Sequence, residues 1–84
     1  MIERLRTSLQ VMTHLSGEAL VSSSYERLRG DCADALRLEL DCPQQALSRA
    51  QRQHLAQLSA LLEDAQPAPA DLERAVHDAW SAIA

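Results

Sequence analysis

Two residues near the middle of the chain, Cys42 and His54, are of types that carry out chemistry, a thiol nucleophile and an imidazole general base or metal ligand. His54 lies at the centre of an apolar stripe at helical spacing, beside Leu58 and Leu61, so we expect it to pack in the core or against a partner helix. Cys42 precedes Pro43, and proline cannot continue a helix but fits the first turn of a new one. We therefore interpret Cys42 as a turn residue without a chemical role.

The other candidates for a catalytic or metal site lack the spacing that such sites need. His14 and His77 fall on separate predicted helices, and no H-x-x-x-H or H-E-x-x-H pattern exists, so no metal is expected. No glycine-flanked serine elbow is present, and two glycines are too few for a phosphate-binding loop. The sequence predicts a protein that is not an enzyme, with no cofactor and no small-molecule substrate. A small all-α enzyme is the minor alternative.

The composition predicts that helices position these residues. The chain has 84 residues, enough for one small domain, and 46% of them are hydrophobic, mostly leucine and alanine. Trp80 and Tyr25 are the only aromatic residues, and β-branched residues are scarce. Because strands favour β-branched and aromatic residues whereas leucine and alanine favour helices, the sequence predicts an all-α fold.

The net charge argues against a nucleic-acid partner. It is −4, and an acidic chain repels phosphate backbones. The alternative is a helical regulator that contacts nucleic acid or the transcription machinery through four arginines, Arg27, Arg37, Arg49 and Arg52. Acidic neighbours largely cancel the charge of this set, namely Asp31, Asp34, Asp41 and Glu63.

The sequence also favours a cytoplasmic location. No run of about 18 apolar residues exists, so no membrane partner is expected. Charges interrupt the apolar positions of the N-terminus, which therefore lacks the core of a signal peptide. Cys32 and Cys42 lie ten residues apart on one predicted helix, which separates their backbones by about 15 Å, too far for a disulfide. Reduced thiols are typical of the cytoplasm.

The apolar periodicity predicts one domain over residues 1–84, a small antiparallel bundle of three long helices and a short C-terminal helix. Gly17 is expected to bend or break the first helix. Ser23 and Glu26 form an S-x-x-E pattern that predicts a capping box at the start of the second. The prolines that precede the last helix, together with Asp71, predict where that helix starts. The four helices are expected over residues 2–21, 24–41, 43–65 and 70–83.

Some large apolar residues remain after each helix is given a core face. Val11 and Leu15 lie one turn apart on the back of the first helix, and Leu38 lies opposite the apolar face of the second. Because an apolar surface beyond the core indicates association, we predict a non-enzymatic protein–protein interaction module that binds another protein or forms a homodimer. The residues expected to contact the partner, through the first helix and the leucine-rich third helix, are Leu9, Val11, Met12, Leu15, Leu38, His54, Leu58 and Leu61.

A resemblance to a known family rests on three stretches of the chain, which follow one another between long helices: "IERLRTSLQ", the turn "LDCPQQ" and "ALLED". Over residues 1 to about 65 the layout resembles the small helical-hairpin co-chaperones of bacterial type III secretion needle subunits. Such proteins are cytoplasmic and non-catalytic, and they pair with a second chaperone to keep a polymerising subunit soluble. The resemblance therefore implies a chaperone or adaptor. The final helix, residues 70–84, departs from the shorter members of that group.

Overall fold

The computed structural model of the chain describes residues 2–41 and 47–84, and of Ile2 it describes only the backbone. All regular elements within these ranges are helical, so the predicted all-α class is confirmed. A short 3₁₀ turn, Ser23–Tyr25, leads into the third helix. The α-helices are α1 (Ile2–Thr13), α2 (Gly17–Leu20), α3 (Glu26–Asp41), α4 (Arg49–Glu63) and α5 (Pro69–Ile83).

The four longer helices form a closed ring in which each packs on two neighbours. α1 contacts α3 and α5, and α4 contacts the same two helices, while α2 lies against α5. Side chains tie the helix ends together: the Arg6 guanidinium in α1 donates a hydrogen bond to the Ile83 carbonyl in α5, and the Gln51 amide in α4 donates one to the Ala82 carbonyl. The resulting body measures 34 × 21 × 20 Å.

The apolar stripes of these helices meet in the middle of the ring. Each stripe repeats every three to four residues, so one face of each helix is removed from water. Leucines dominate, and full burial of a leucine side chain is worth about 1.5–3 kcal/mol. The buried hydrophobic core consists of Leu5, Leu9, Met12, Leu20, Cys32, Ala35, Leu36, Leu55, Leu58, Leu72, Ala75, Val76, Ala79 and Ile83.

The first predicted helix is broken rather than bent, and these were the two outcomes expected from the glycine at position 17. α1 ends at Thr13, and Ser16 caps α2 by accepting a hydrogen bond from the Ala19 N–H. The break lets α2 lie directly against the start of α5. A Cβ at Gly17 would stand 2.7 Å from the Pro69 carbonyl carbon, so only glycine fits this approach. The Gly17 N–H also donates to the Glu73 carboxylate at 3.1 Å.

The predicted start of the third helix at residue 43 and the short final helix need correction. α4 begins at Arg49, where Ser48 and Gln51 form a capping box, with hydrogen bonds of 3.1 and 2.8 Å in the two directions. The last helix is not short, because α5 has 15 residues, as many as α4. The predicted turn at Cys42 and Pro43 lies outside the described residues.

The predicted Ser23–Glu26 capping box is also absent from the hydrogen bonds of the described residues. The chain enters α3 through the 3₁₀ turn, which places Ser23 inside that turn rather than at a helix N-cap. Arg29 organises this corner instead, because its Nη1 donates to the carbonyls of Leu20 and Ser22 at 2.6 Å each. One guanidinium therefore holds the connection between α2 and α3.

Candidate interaction surface

Three of the residues predicted to contact a partner, Leu9, Met12 and Leu58, are fully buried in the core. The apolar stripes of α1 and α4 on which they lie are covered by other helices of the same chain, so a partner reaches them only if the bundle opens. Leu15 and Leu61 are partly buried and pack against the same core. These five residues belong to the inside of the fold or to its margin.

Val11 and Leu38 are the large hydrophobic side chains that remain exposed among the described residues. Val11 is 46% exposed on α1, and Leu38 is 52% exposed on α3. Helices α1 and α3 are neighbours in the ring, so the two side chains lie on adjacent elements.

Helix geometry places both residues beside the α1–α3 interface. Successive residues of a helix are rotated by about 100°. In α1, the flank that carries Arg6 faces α5, and Val11 lies about 140° away from it, toward α3. In α3, the flank that carries Arg37 faces α4 through a bond to Glu63, and Leu38 lies about 100° away from it, toward α1. We call the outer margin that carries Val11 and Leu38 the α1–α3 edge.

His54 lies in a shallow groove between α4 and α5, with Ser48, Asp78 and Ser81 on the same groove. These are the residue types of a hydrolytic relay, but the relay is not assembled. Within the described residues no hydrogen bond or ion pair joins His54 to Asp78 or to either serine, and the buried Nδ1 of His54 has no partner. A base must be within hydrogen-bond reach of the group that it deprotonates. The groove as it stands holds a half-buried histidine at a helix interface.

Cys32 is a core residue rather than a nucleophile. It is fully buried on α3, and burial raises the pKa of its thiol from 9.0 to about 12. The thiolate is the reactive form of cysteine, and at neutral pH an apolar environment keeps this group protonated. The buried thiol therefore contributes packing.

Glu39 is a buried polar residue that the sequence prediction did not identify. It is 1% exposed on α3, and its Oε2 has no hydrogen-bond partner among the described residues. The signal was present in the spacing, because Glu39 follows Cys32, Ala35 and Leu36 at the intervals of one helix face. A carboxylate in this position is costly unless it is paired.

Two of the four arginines considered for nucleic-acid contact are engaged with the protein itself. Arg37 forms an ion pair of 3.2 Å with Glu63 on α4, with both side chains more than half exposed. Arg52 donates a hydrogen bond to the Leu40 carbonyl at 2.9 Å. Both contacts join α3 to α4, so these side chains stabilise the packing of two helices.

No group of three or more histidine, cysteine, aspartate and glutamate side chains that could hold a metal ion occurs within residues 2–41 and 47–84. None of the helices in the same ranges combines the length and apolar character needed to cross a bilayer. Comparison with known proteins found no matching family model, no similar curated protein and no similar solved structure.

Proposed function

We propose that the protein is a non-enzymatic protein-interaction module that associates through the α1–α3 edge, either with a second copy or with a helical segment of another protein. The exposure of Val11 and Leu38 on two neighbouring helices is the observation that supports this proposal. A single exposed apolar side chain is ordinary, but the two large ones that are exposed among the described residues lie on neighbouring helices, which favours a contact site.

The small size of the fold supports the same function. A chain of 84 residues buries a limited core, and domains of this size gain stability when a partner covers further apolar surface. An apolar stripe of a partner helix fits a margin formed by two neighbouring helices, as in other helix-in-groove complexes. We propose the cytoplasm as the location and, following the resemblance described above, a chaperone or adaptor as one form of this role.

The proposal is tested by replacing both edge residues with glutamate, Val11→Glu and Leu38→Glu. Glutamate is a good helix former, and exposed substitutions change stability by about 0.5 kcal/mol or less, so the fold should persist. The matched control carries Gln10→Glu and Gln53→Glu, which add the same charge at exposed positions of α1 and α4. Light scattering would report self-association, and capture from a lysate of the native host would report partners.

The expected result is association of the wild type and of the control, and its loss in the edge variant at unchanged helicity. A wild-type protein that is monomeric at high concentration and captures nothing would refute the proposal. Equal association of the edge variant and the control would also refute it, because the contact would then lie elsewhere.

A further inference from the structure

A second surface feature lies at the other side of α3. A groove of about 520 Å³ is bounded by the start of α3, the end of α4 and the connection from α4 to α5. Its apolar walls are formed by Val21, Ala33, Leu62, Pro67 and Pro69, and polar side chains of Glu26, Arg29 and Asp64 also line it. We call it the α3–α4 groove. It is separate from the α1–α3 edge, since the two lie on opposite flanks of α3.

Gly30 forms part of this groove and leaves it open. It lies within α3, where alanine would stabilise the helix better than glycine. A Cβ built at Gly30 would meet no atom within 4 Å, so no neighbouring group in the described structure requires a glycine there. Gly17 is the opposite case, because the close approach of Pro69 excludes a side chain. The space above Gly30 is therefore available to a molecule outside the described chain.

The charges of the groove favour a cationic occupant. Arg29 contributes one positive charge and is held against the backbone carbonyls of Leu20 and Ser22, so the carboxylates of Glu26 and Asp64 leave the charged lining net negative. Neither Glu26 nor Asp64 has an ion-pair partner in the described part of the chain. Asp64 is moreover the C-cap of α4, whose last turn contains no basic residue. A carboxylate at the negative end of a helix dipole strengthens the attraction for a cation.

We propose that the α3–α4 groove binds a segment of a partner protein in which an arginine or lysine stands next to an apolar side chain. The apolar side chain occupies the space above Gly30, against Ala33 and Leu62. The cation reaches the carboxylates of Glu26 and Asp64. This surface goes beyond the α1–α3 edge, and either surface can exist without the other.

A peptide selection tests the groove directly. Wild-type protein is used to select from a phage-displayed library of random linear peptides, with an excess of the Gly30→Leu protein in solution as competitor. Leucine at position 30 has its Cβ in open space, extends the rest of its side chain into the groove and improves the helix propensity of α3. The matched control, Ala56→Leu, adds an apolar side chain at an exposed position of α4. Circular dichroism verifies that each variant is folded.

We expect the enriched peptides to share a basic residue beside an apolar one. Their affinity should fall by roughly tenfold or more in Gly30→Leu and in the double variant Glu26→Gln, Asp64→Asn, and stay unchanged in Ala56→Leu. Enrichment of neutral or acidic peptides, equal binding to Gly30→Leu, or no enrichment would overturn the proposal. If the wild type self-associates and Gly30→Leu abolishes that association, the occupant of the groove would be a second copy instead. None of these outcomes depends on Val11 or Leu38, so they leave the test of the α1–α3 edge independent.

Discussion

Replacing each of the two glycines with alanine should change the stability of the protein in opposite directions. At Gly17 the new Cβ would lie 2.7 Å from the Pro69 carbonyl carbon and 3.2 Å from the Pro69 Cβ, the first of which is closer than Cβ atoms approach other heavy atoms. The obstacle is backbone at the first turn of α5, which cannot rotate away as a flexible side chain would. Overpacking of this kind costs about 1–3 kcal/mol.

At Gly30 the same substitution meets open space inside a regular helix. Only the helix propensity changes there, and alanine is favoured over glycine by up to about 1 kcal/mol. In a domain of this size 1 kcal/mol corresponds to about 4–8 °C in the midpoint of thermal unfolding. We therefore expect Gly30→Ala to raise the midpoint by several degrees and Gly17→Ala to lower it by a similar or larger amount.

Thermal and urea unfolding followed by circular dichroism measure both effects. The urea slope should stay the same in the two variants, because neither change alters the surface exposed on unfolding by much. A neutral or stabilising Gly17→Ala would mean that α2 does not approach α5 as closely as described. A destabilising Gly30→Ala would show that the space above Gly30 is occupied within the chain itself.

Three further predictions concern buried or capping groups. Glu39→Met should stabilise the protein by about 1 kcal/mol or more in urea unfolding, because it removes a buried carboxylate oxygen without a partner in the described structure; a loss of stability would indicate that the carboxylate is paired. Ser48→Ala should cost about 1 kcal/mol through loss of the α4 cap, and no change in unfolding would speak against the capping box. The thiol pKa of Cys32 is raised from 9.0 to about 12 in the folded state, so the unfolded state loses this proton first and stability should fall as the pH rises from about 9 toward 12. A Cys32→Ala variant should show a weaker pH dependence in that range, and an identical one would contradict the burial of the thiol.

Local pattern was sufficient to predict the helical class and the start of the last helix, though not that this helix is as long as α4. Proline and Asp71 placed the start of that helix within one residue of α5. The capping box at Ser48 also had its signal in the sequence, an S-x-x-Q pattern, but the proline at position 43 was taken as the stronger start signal. These features depend on residues that are close along the chain.

Features that depend on distant residues were not predictable in the same way. The reason that position 17 requires a glycine is the close approach of Pro69, which lies far along the chain. Periodicity identified the stripe that contains Leu9 and Leu58, but an apolar stripe looks the same whether its partner helix is in the same chain or another. The exposure of Val11 and Leu38, by contrast, was predicted from the spacing, because both fall outside the apolar face of their helix. That their two helices are neighbours in the ring was not.

Photo-crosslinking from the α1–α3 edge would show whether this surface contacts a partner. A photoreactive amino acid is placed at Val11, and at the exposed Gln53 on α4 as the control, in the protein expressed in its native host. We expect a discrete crosslinked product from position 11, to a second copy or to another protein, and none of comparable yield from position 53. No product from position 11, or the same product in the same yield from both positions, would contradict association through this edge.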